Sequence, residues 1–264
     1  VGVRQDEHED FGGATSFGGD LTYEIADNLR LRASVGEGFK APSLFQLFSD
    51  YGNAALQPED SISYDLGLAW GTRISPVYAS ITAFQRDSEN LIAFVGCPTQ
   101  TGICTDRPFG TYDNVSEARA RGIEVETGAS PVEGLTVRAA YAFVDAEDRS
   151  AGSATFGNQL ARRPRHAGTL SADWAPAPDA TGVPVIGGDV RIVGEAFDNA
   201  ANTVRLGSYT VVDLRVLVPV GLIAGERPVE VFGRVENLFD EAYQTAAGYN
   251  QAPRGVFAGV RVGL

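Results

Sequence analysis

The chain has 264 residues, with 34 acidic and 21 basic side chains and a formal net charge of −13. That balance excludes nucleic acid as a partner, because phosphate binding needs clustered Lys and Arg; it suits cationic or metal-bearing ligands, or simply solvated acidic loops. No apolar run nears the ~20 residues of a membrane-spanning helix, which leaves strand-crossing barrels open, since alternating strands hide their hydrophobicity from an averaged scale. The chain begins VGVRQDEHED, without a basic start or an apolar run, so no signal peptide is expected in this stretch. Either processing has removed one or the stretch starts inside a longer chain.

Val1–Arg4 reads as the stub of a strand, and Asp6–Asp10 as an acidic loop. Strands are predicted over Ala14–Ile25 and Leu29–Phe39, joined by the tight turn Ala26–Asn28. The long connection Lys40–Glu59 leads to a strand over Asp60–Trp70, a turn at Thr72–Pro76 and a strand over Val77–Asp87, extended by Asn90–Val95. Cys97 and Cys104, the only cysteines, follow in CPTQTGIC. Two cysteines make a poor zinc site, so a local disulfide stapling an exposed loop is expected, in an oxidising compartment such as the periplasm or cell surface.

Val115–Ala129 and Leu135–Asp145 are the next strands, with PVEG as the turn between them. The polar stretch Glu147–Arg163 precedes a strand over Arg165–Ala175; the link Pro176–Gly187 precedes another over Asp189–Phe197; the loop Asp198–Gly207 precedes Tyr209–Val218. After a turn at Val220–Pro228, Val229–Glu236 places Val229, Val231, Gly233 and Val235 opposite Glu230, Phe232, Arg234 and Glu236. Val256–Leu264 closes the chain with Val256, Ala258, Val260, Val262 and Leu264 opposite Phe257, Gly259, Arg261 and Gly263. A period of two gives each strand one wet and one apolar face, so the apolar face meets either a protein core or lipid.

The count is about eleven strands plus the stub. Their connections alternate between a shorter set and a longer, more polar set, as in outer-membrane barrels, where short turns face the periplasm and long loops face outside. Arg32, Asp65, Glu124, Glu126, Arg138, Asp173, Arg191, Glu195, Asp213, Arg215, Arg234 and Arg261 fall mid-strand. In a barrel they must face the lumen, because the lipid face tolerates few charges at mid-depth. Tyr64, Trp70, Tyr78, Phe84, Tyr141, Phe143, Trp174 and Phe257 suit interfacial girdles, or core packing in a soluble β protein. Bacterial single-chain barrels are even-numbered and leave no edge in lipid, so eleven strands point to part of a larger barrel, or to a miscounted barrel of ten or twelve.

Several stretches resemble TonB-dependent outer-membrane receptors of the vitamin B12 receptor type: LRLRASVGEGFKAPSLFQLF (29–48), YGNAALQPEDS (51–61), YDNVSEARARGIEVE (112–126), LARR (160–163), VENLFDEAYQTAAGY (235–249) and the closing APRGVFAGVRVGL. The resemblance covers nearly the whole chain. It implies an all-β fold, a transmembrane antiparallel β-barrel, with residues 1–264 forming about eleven strands in the C-terminal half of a 22-stranded barrel. It implies a plug and a TonB box outside this stretch, coupling through that missing region to TonB–ExbB–ExbD. It further implies outer-membrane lipid and lipopolysaccharide as surroundings, recognition by the barrel assembly machinery, and the outer membrane of a Gram-negative cell as location. The family's calcium loops belong to the earlier half, so no metal ligands are assigned here; Leu264 stands where the family usually ends in an aromatic.

Arg162 matches the first arginine of the LARR stretch, which in B12 receptors contacts the corrinoid, and is the best ligand candidate; a rim arginine without a ligand is the alternative. Tyr51, Tyr112, Tyr243 and Tyr249 are placed in outer loops, where a planar ligand can stack. Arg119 and Arg121 are expected to pair with Glu124 or Glu126 in the lumen, or else to meet lipopolysaccharide phosphate. Pro42 marks where a strand stops pairing, Gly122 a bulge or close approach, and Asn237 and Asp240 a turn. His8 and His166 lie in unrelated segments and no catalytic motif has a supporting context, so no enzyme and no cofactor are expected. The expected function is active uptake of a scarce nutrient complex, cobalamin or a ferric siderophore. A passive pore or structural barrel formed by this chain alone is the alternative, and a soluble β protein a third.

Overall fold

A computed structural model describes residues 1–8, 12–97, 99, 101–177, 180–223 and 227–263. Its main sheet has twelve antiparallel strands hydrogen-bonded in chain order. They are β1 Gly2–His8, β2 Gly12–Ala26, β3 Leu29–Lys40, β4 Glu59–Trp70, β5 Val77–Val95, β6 Thr111–Ala129, β7 Leu135–Asp148, β8 His166–Trp174, β9 Val185–Val193, β10 Tyr209–Ile223, β11 Arg227–Glu236 and β12 Gly255–Val262. Among the described residues, β1 and β12 do not pair with each other.

Strand pairing turns the sequence alternation into two chemically distinct faces, because residues directly opposite each other share a face. One row runs Thr22, Arg32, Gly67, Thr82, Glu124, Ala142 and Ala167. The adjacent row runs Leu31, Leu68, Ile81, Val125, Tyr141, Gly168 and Ile192. The first face is charged and concave: clefts of about 790 and 640 Å³ are lined mainly by it. The second carries Leu66, Ile81, Leu170, Ile192, Val216 and Val260, all exposed. A sheet that exposes such residues from β2 to β12 presents a broad apolar surface to be covered by hydrocarbon or by other protein.

The charged face is knit across strands. Arg215 on β10 reaches Asp173 on β8 at 2.5 Å and also contacts Asp189 on β9. Arg73 pairs with Glu126 at 2.9 Å, and the Tyr78 hydroxyl donates to the same carboxylate at 3.1 Å. The Arg234 guanidinium lies 4.5 Å from the centre of the Phe257 ring.

Several sequence expectations change. Asp6, Glu7 and His8 are strand rather than loop, because β1 stays in register with β2 through His8; Glu9 and Asp10 lie outside the described residues. Residues 185–187, expected in a link, already pair in β9, which ends at Val193. Glu195 is therefore beyond the strand, in a rim contact with Arg205. β10 runs on to Ile223 by shifting register between Pro219 and Gly221, so most of the expected Val220–Pro228 turn is strand. Of the girdle aromatics, Tyr64, Trp70, Tyr141, Phe143 and Trp174 share the apolar face, but Tyr78, Phe84 and Phe257 share the charged one.

Arg119 and Arg121 do not meet Glu124 or Glu126. Strand β6 passes Gly122 without a bulge, so odd and even residues keep opposite faces. Arg119 pairs with Asp87 at 2.6 Å and Arg121 with Asp145 at 3.3 Å, beyond the apolar rows on the outward face. Gly122 serves close approach: a Cβ there would overlap the Phe143 carbonyl oxygen.

Candidate functional site

The connections sort to two ends. Short turns over 27–28, 71–76 and 130–134 and the link over 175–184 lie at one end. Loops over 41–58, 96–110, 149–165, 194–208 and 237–254 lie at the other. This second rim holds every predicted ligand residue.

The first pair of loops forms an aromatic corner. Pairing of β3 ends at Lys40, before Pro42, and Ser43 caps the helix α1 Leu44–Phe48: its hydroxyl accepts from the Gln46 amide, and the Gln46 side chain accepts from the Ser43 amide. This S-x-x-Q capping box was readable in the sequence, although the segment was expected to be a loop. Tyr51 lies edge-on to Phe94 with ring centres 5.8 Å apart, and Phe94 is 5.5 Å from Tyr112. The Tyr112 amide donates to the Tyr51 carbonyl at 3.2 Å. Tyr112 is thus in β6 rather than in a loop. Cys97 and Cys104 form the disulfide that closes the neighbouring loop, both sulfur residues buried.

The other three loops form one hydrogen-bonded unit. Arg162 sits at φ 58°, in the left-handed region, and its amide donates to the Phe197 carbonyl at 2.6 Å. Its Nε donates to Asp198 Oδ1 at 2.7 Å. The same oxygen accepts from the Ala247 amide at 3.1 Å. Asn202 and Gln159 exchange two hydrogen bonds at 2.9 Å. Within these loops, Ala196–Phe197 pairs with Arg205–Leu206, and Gln244–Ala246 with Tyr249–Asn250. Neither ribbon was expected from the sequence, because two- and three-residue strands carry too little alternation to read.

The hydrogen bond from Arg162 holds the Asp198 carboxyl below its ordinary range, helped by the Ala247 amide. In return the Arg162 guanidinium is raised above its usual value, by Asp198 first and with Tyr249 contributing. Arg162 and Tyr249 are both exposed, Tyr249 at 72 %. Among the described residues no hydrogen bond or ring contact joins Tyr51 to either. Tyr243 stacks on Tyr209, ring centres 4.1 Å apart. Asn237 is structural: it is buried at φ 52°, and its amide side chain bonds both the amide and the carbonyl of Glu241.

These features have counterparts in known proteins. The vitamin B12 transporter BtuB of Photobacterium profundum is 30% identical over 260 residues, covering 97% of this chain and 39% of its own length. A mutant of the ferric enterobactin receptor PfeA of Pseudomonas aeruginosa, solved with enterobactin, superposes with a TM-score of 0.77 at 19% identity, over 98% of this chain and 42% of that one. The ferric preacinetobactin receptor BauA of Acinetobacter baumannii gives 0.71 at 21% identity, over 95% and 36%. The chain thus spans about two fifths of the length of the relatives it matches. These relatives are transport receptors, not enzymes. The family model "TonB dependent receptor-like, beta-barrel" matches residues 1–238, and the chain belongs to that family.

Proposed function

We propose that this chain is the C-terminal portion of the barrel of an outer-membrane receptor that takes up a scarce nutrient complex, cobalamin or a ferric siderophore, in a Gram-negative cell. The observation that carries this reading is the two-faced sheet: apolar outside, charged inside, with its long loops at one rim and three of them hydrogen-bonded together. In this reading the exterior faces lipid, the lumen is polar, and the long-loop rim is where an external ligand arrives. The extent of the matches, about two fifths of each relative, supports a share of a 22-stranded barrel. Energy would then come from TonB–ExbB–ExbD through a plug region outside this chain.

Arg162 and Tyr249 are the ligand contacts in this reading. A guanidinium fork can hydrogen-bond amide, carboxylate or phosphate oxygens on the ligand, and an open phenol ring can stack on a planar one. Tyr51 would contribute separately, from the aromatic corner. Arg119, Arg121 and Arg165 stand above the outward apolar rows, with Asp87 and Asp145 between them. They meet lipopolysaccharide phosphates at headgroup depth. The barrel assembly machinery would read the last strand, β12; Leu264 lies outside the described residues.

The alternative of a pore formed by this chain alone finds no support in the strand order, since among the described residues β1 and β12 leave their outer edges unpaired. The test is uptake. Cells that depend on the full-length receptor should accumulate cyanocobalamin or ferric enterobactin only when TonB is present. Accumulation of neither, with no measurable binding by the purified receptor, would sink the proposal.

A further inference from the structure

We infer that Asp198 is the positioning residue of the rim, holding Arg162 and the Tyr249 loop in a single arrangement. One carboxylate oxygen receives both the Arg162 Nε, at 2.7 Å, and the Ala247 amide, at 3.1 Å. Those donors come from different loops, 149–165 and 237–254, and Asp198 itself belongs to the third. Its own amide donates to the Val204 carbonyl at 2.8 Å, so the carboxylate is presented from a closed ribbon. The Asp198 side chain is only 17% exposed, whereas that of Arg162 is 54% exposed.

The geometry leaves the useful part of the arginine open. Asp198 takes Nε, and no hydrogen bond among the described residues uses Nη1 or Nη2. A guanidinium held by its Nε keeps an outward pair of donors in a fixed plane. Ala247 lies in the turn between Gln244–Ala246 and Tyr249–Asn250, so the second bond fixes the strand that carries Tyr249. Ordering both groups before the ligand arrives removes part of the entropy lost on binding. This deepens the ligand reading above and rests on it for what Arg162 touches; the tie between loops stands separately.

Two measurements on the full-length receptor keep those claims apart. In hydrogen exchange, Asp198→Ala should speed exchange at the Ala247 amide about tenfold, the effect of one lost tie, and loosen the loop around Arg162 with it. Asp198→Asn keeps that acceptor oxygen but not its charge, and should leave the Ala247 amide protected while loosening Arg162 less than Asp198→Ala does. Unchanged exchange in both loops of Asp198→Ala overturns the clamp. The second measurement is a double-mutant cycle on cyanocobalamin and ferric enterobactin affinity. Asp198→Ala should weaken binding about tenfold in the wild type and clearly less in Arg162→Gln, where only the Tyr249 loop is left to release. Full additivity overturns positioning. Wild-type affinity for one probe that Arg162→Gln leaves unchanged removes Arg162 from the ligand site, and the exchange result then decides the clamp alone.

Discussion

At the rim, a single carboxylate sets how the site responds to pH. Arg162, by hydrogen bonding, lowers the Asp198 pKa in the folded protein. A group depressed on folding contributes stability above its unfolded pKa, and loses it as pH falls through the lowered folded value. The tie between Asp198, Arg162 and Ala247 is therefore complete from about pH 5 to 8 and opens only below about pH 4, the ordinary carboxylate range. Exchange at the Ala247 amide, corrected for intrinsic rates, should show no step between pH 5 and 8; a step there would contradict the assignment. The Cys97–Cys104 bond, closing a short loop, acts on its own segment. Replacing both cysteines by serine should ease local opening of residues 96–110 by about 2–3 kcal/mol, from the entropy of the closed loop. Limited proteolysis should find the new cuts there, with the melting of the sheet unchanged.

Along the strands, neighbouring positions carry opposite environments. Ile81 on β5 pairs with Leu68 and Val125 in the apolar rows, while Ser80 faces the lumen opposite Glu126. Ile81→Arg should cost about 2–4 kcal/mol near mid-depth in a bilayer, and Ser80→Arg much less, since a carboxylate is opposite it. Equal losses in unfolding from lipid vesicles would deny that the faces differ. These faces were legible in the sequence because each strand repeats the same two-residue alternation several times. Arg119 and Arg121 were misplaced for a related reason: their side depends on whether β6 continues straight past Gly122, and a glycine inside a strand signals bulge and close approach alike. The rim was legible only as single residues. Arg162 stood out by its resemblance to receptor sequences, but its partner Asp198 comes from another loop, and contacts between long loops leave no local period to read. The Ser43–Gln46 cap was a local signal, and its helix could have been found.

Across the molecule, the faces and the rim constrain one another. In the membrane reading, lipid on the convex side requires the backbone polar groups to be paired along the sheet, and among the described residues the ladders meet this from β1 to β12 except at the two outer edges. It also requires the lumenal charges to be mutually compensated, and Arg215 between Asp173 and Asp189, or Arg73 beside Glu126, shows how this is met. A soluble sandwich has the same alternation but a different outcome for its apolar face, which would lie against protein. Strand β8 offers a clean test. Thr169 and Ser171 lie on the charged face, and Leu170, between them, lies on the apolar one. Both cysteines are bonded, so a nitroxide can be attached at one introduced cysteine at a time, in the full-length receptor in lipid. At Leu170→Cys the label should collide with dissolved oxygen, which concentrates in the bilayer, and be shielded from a water-soluble nickel chelate. At Thr169→Cys and Ser171→Cys the preference should fall or reverse, because the label enters a polar lumen. A label at residue 170 shielded from both reagents would mean that protein covers the apolar face, and the membrane reading would fail.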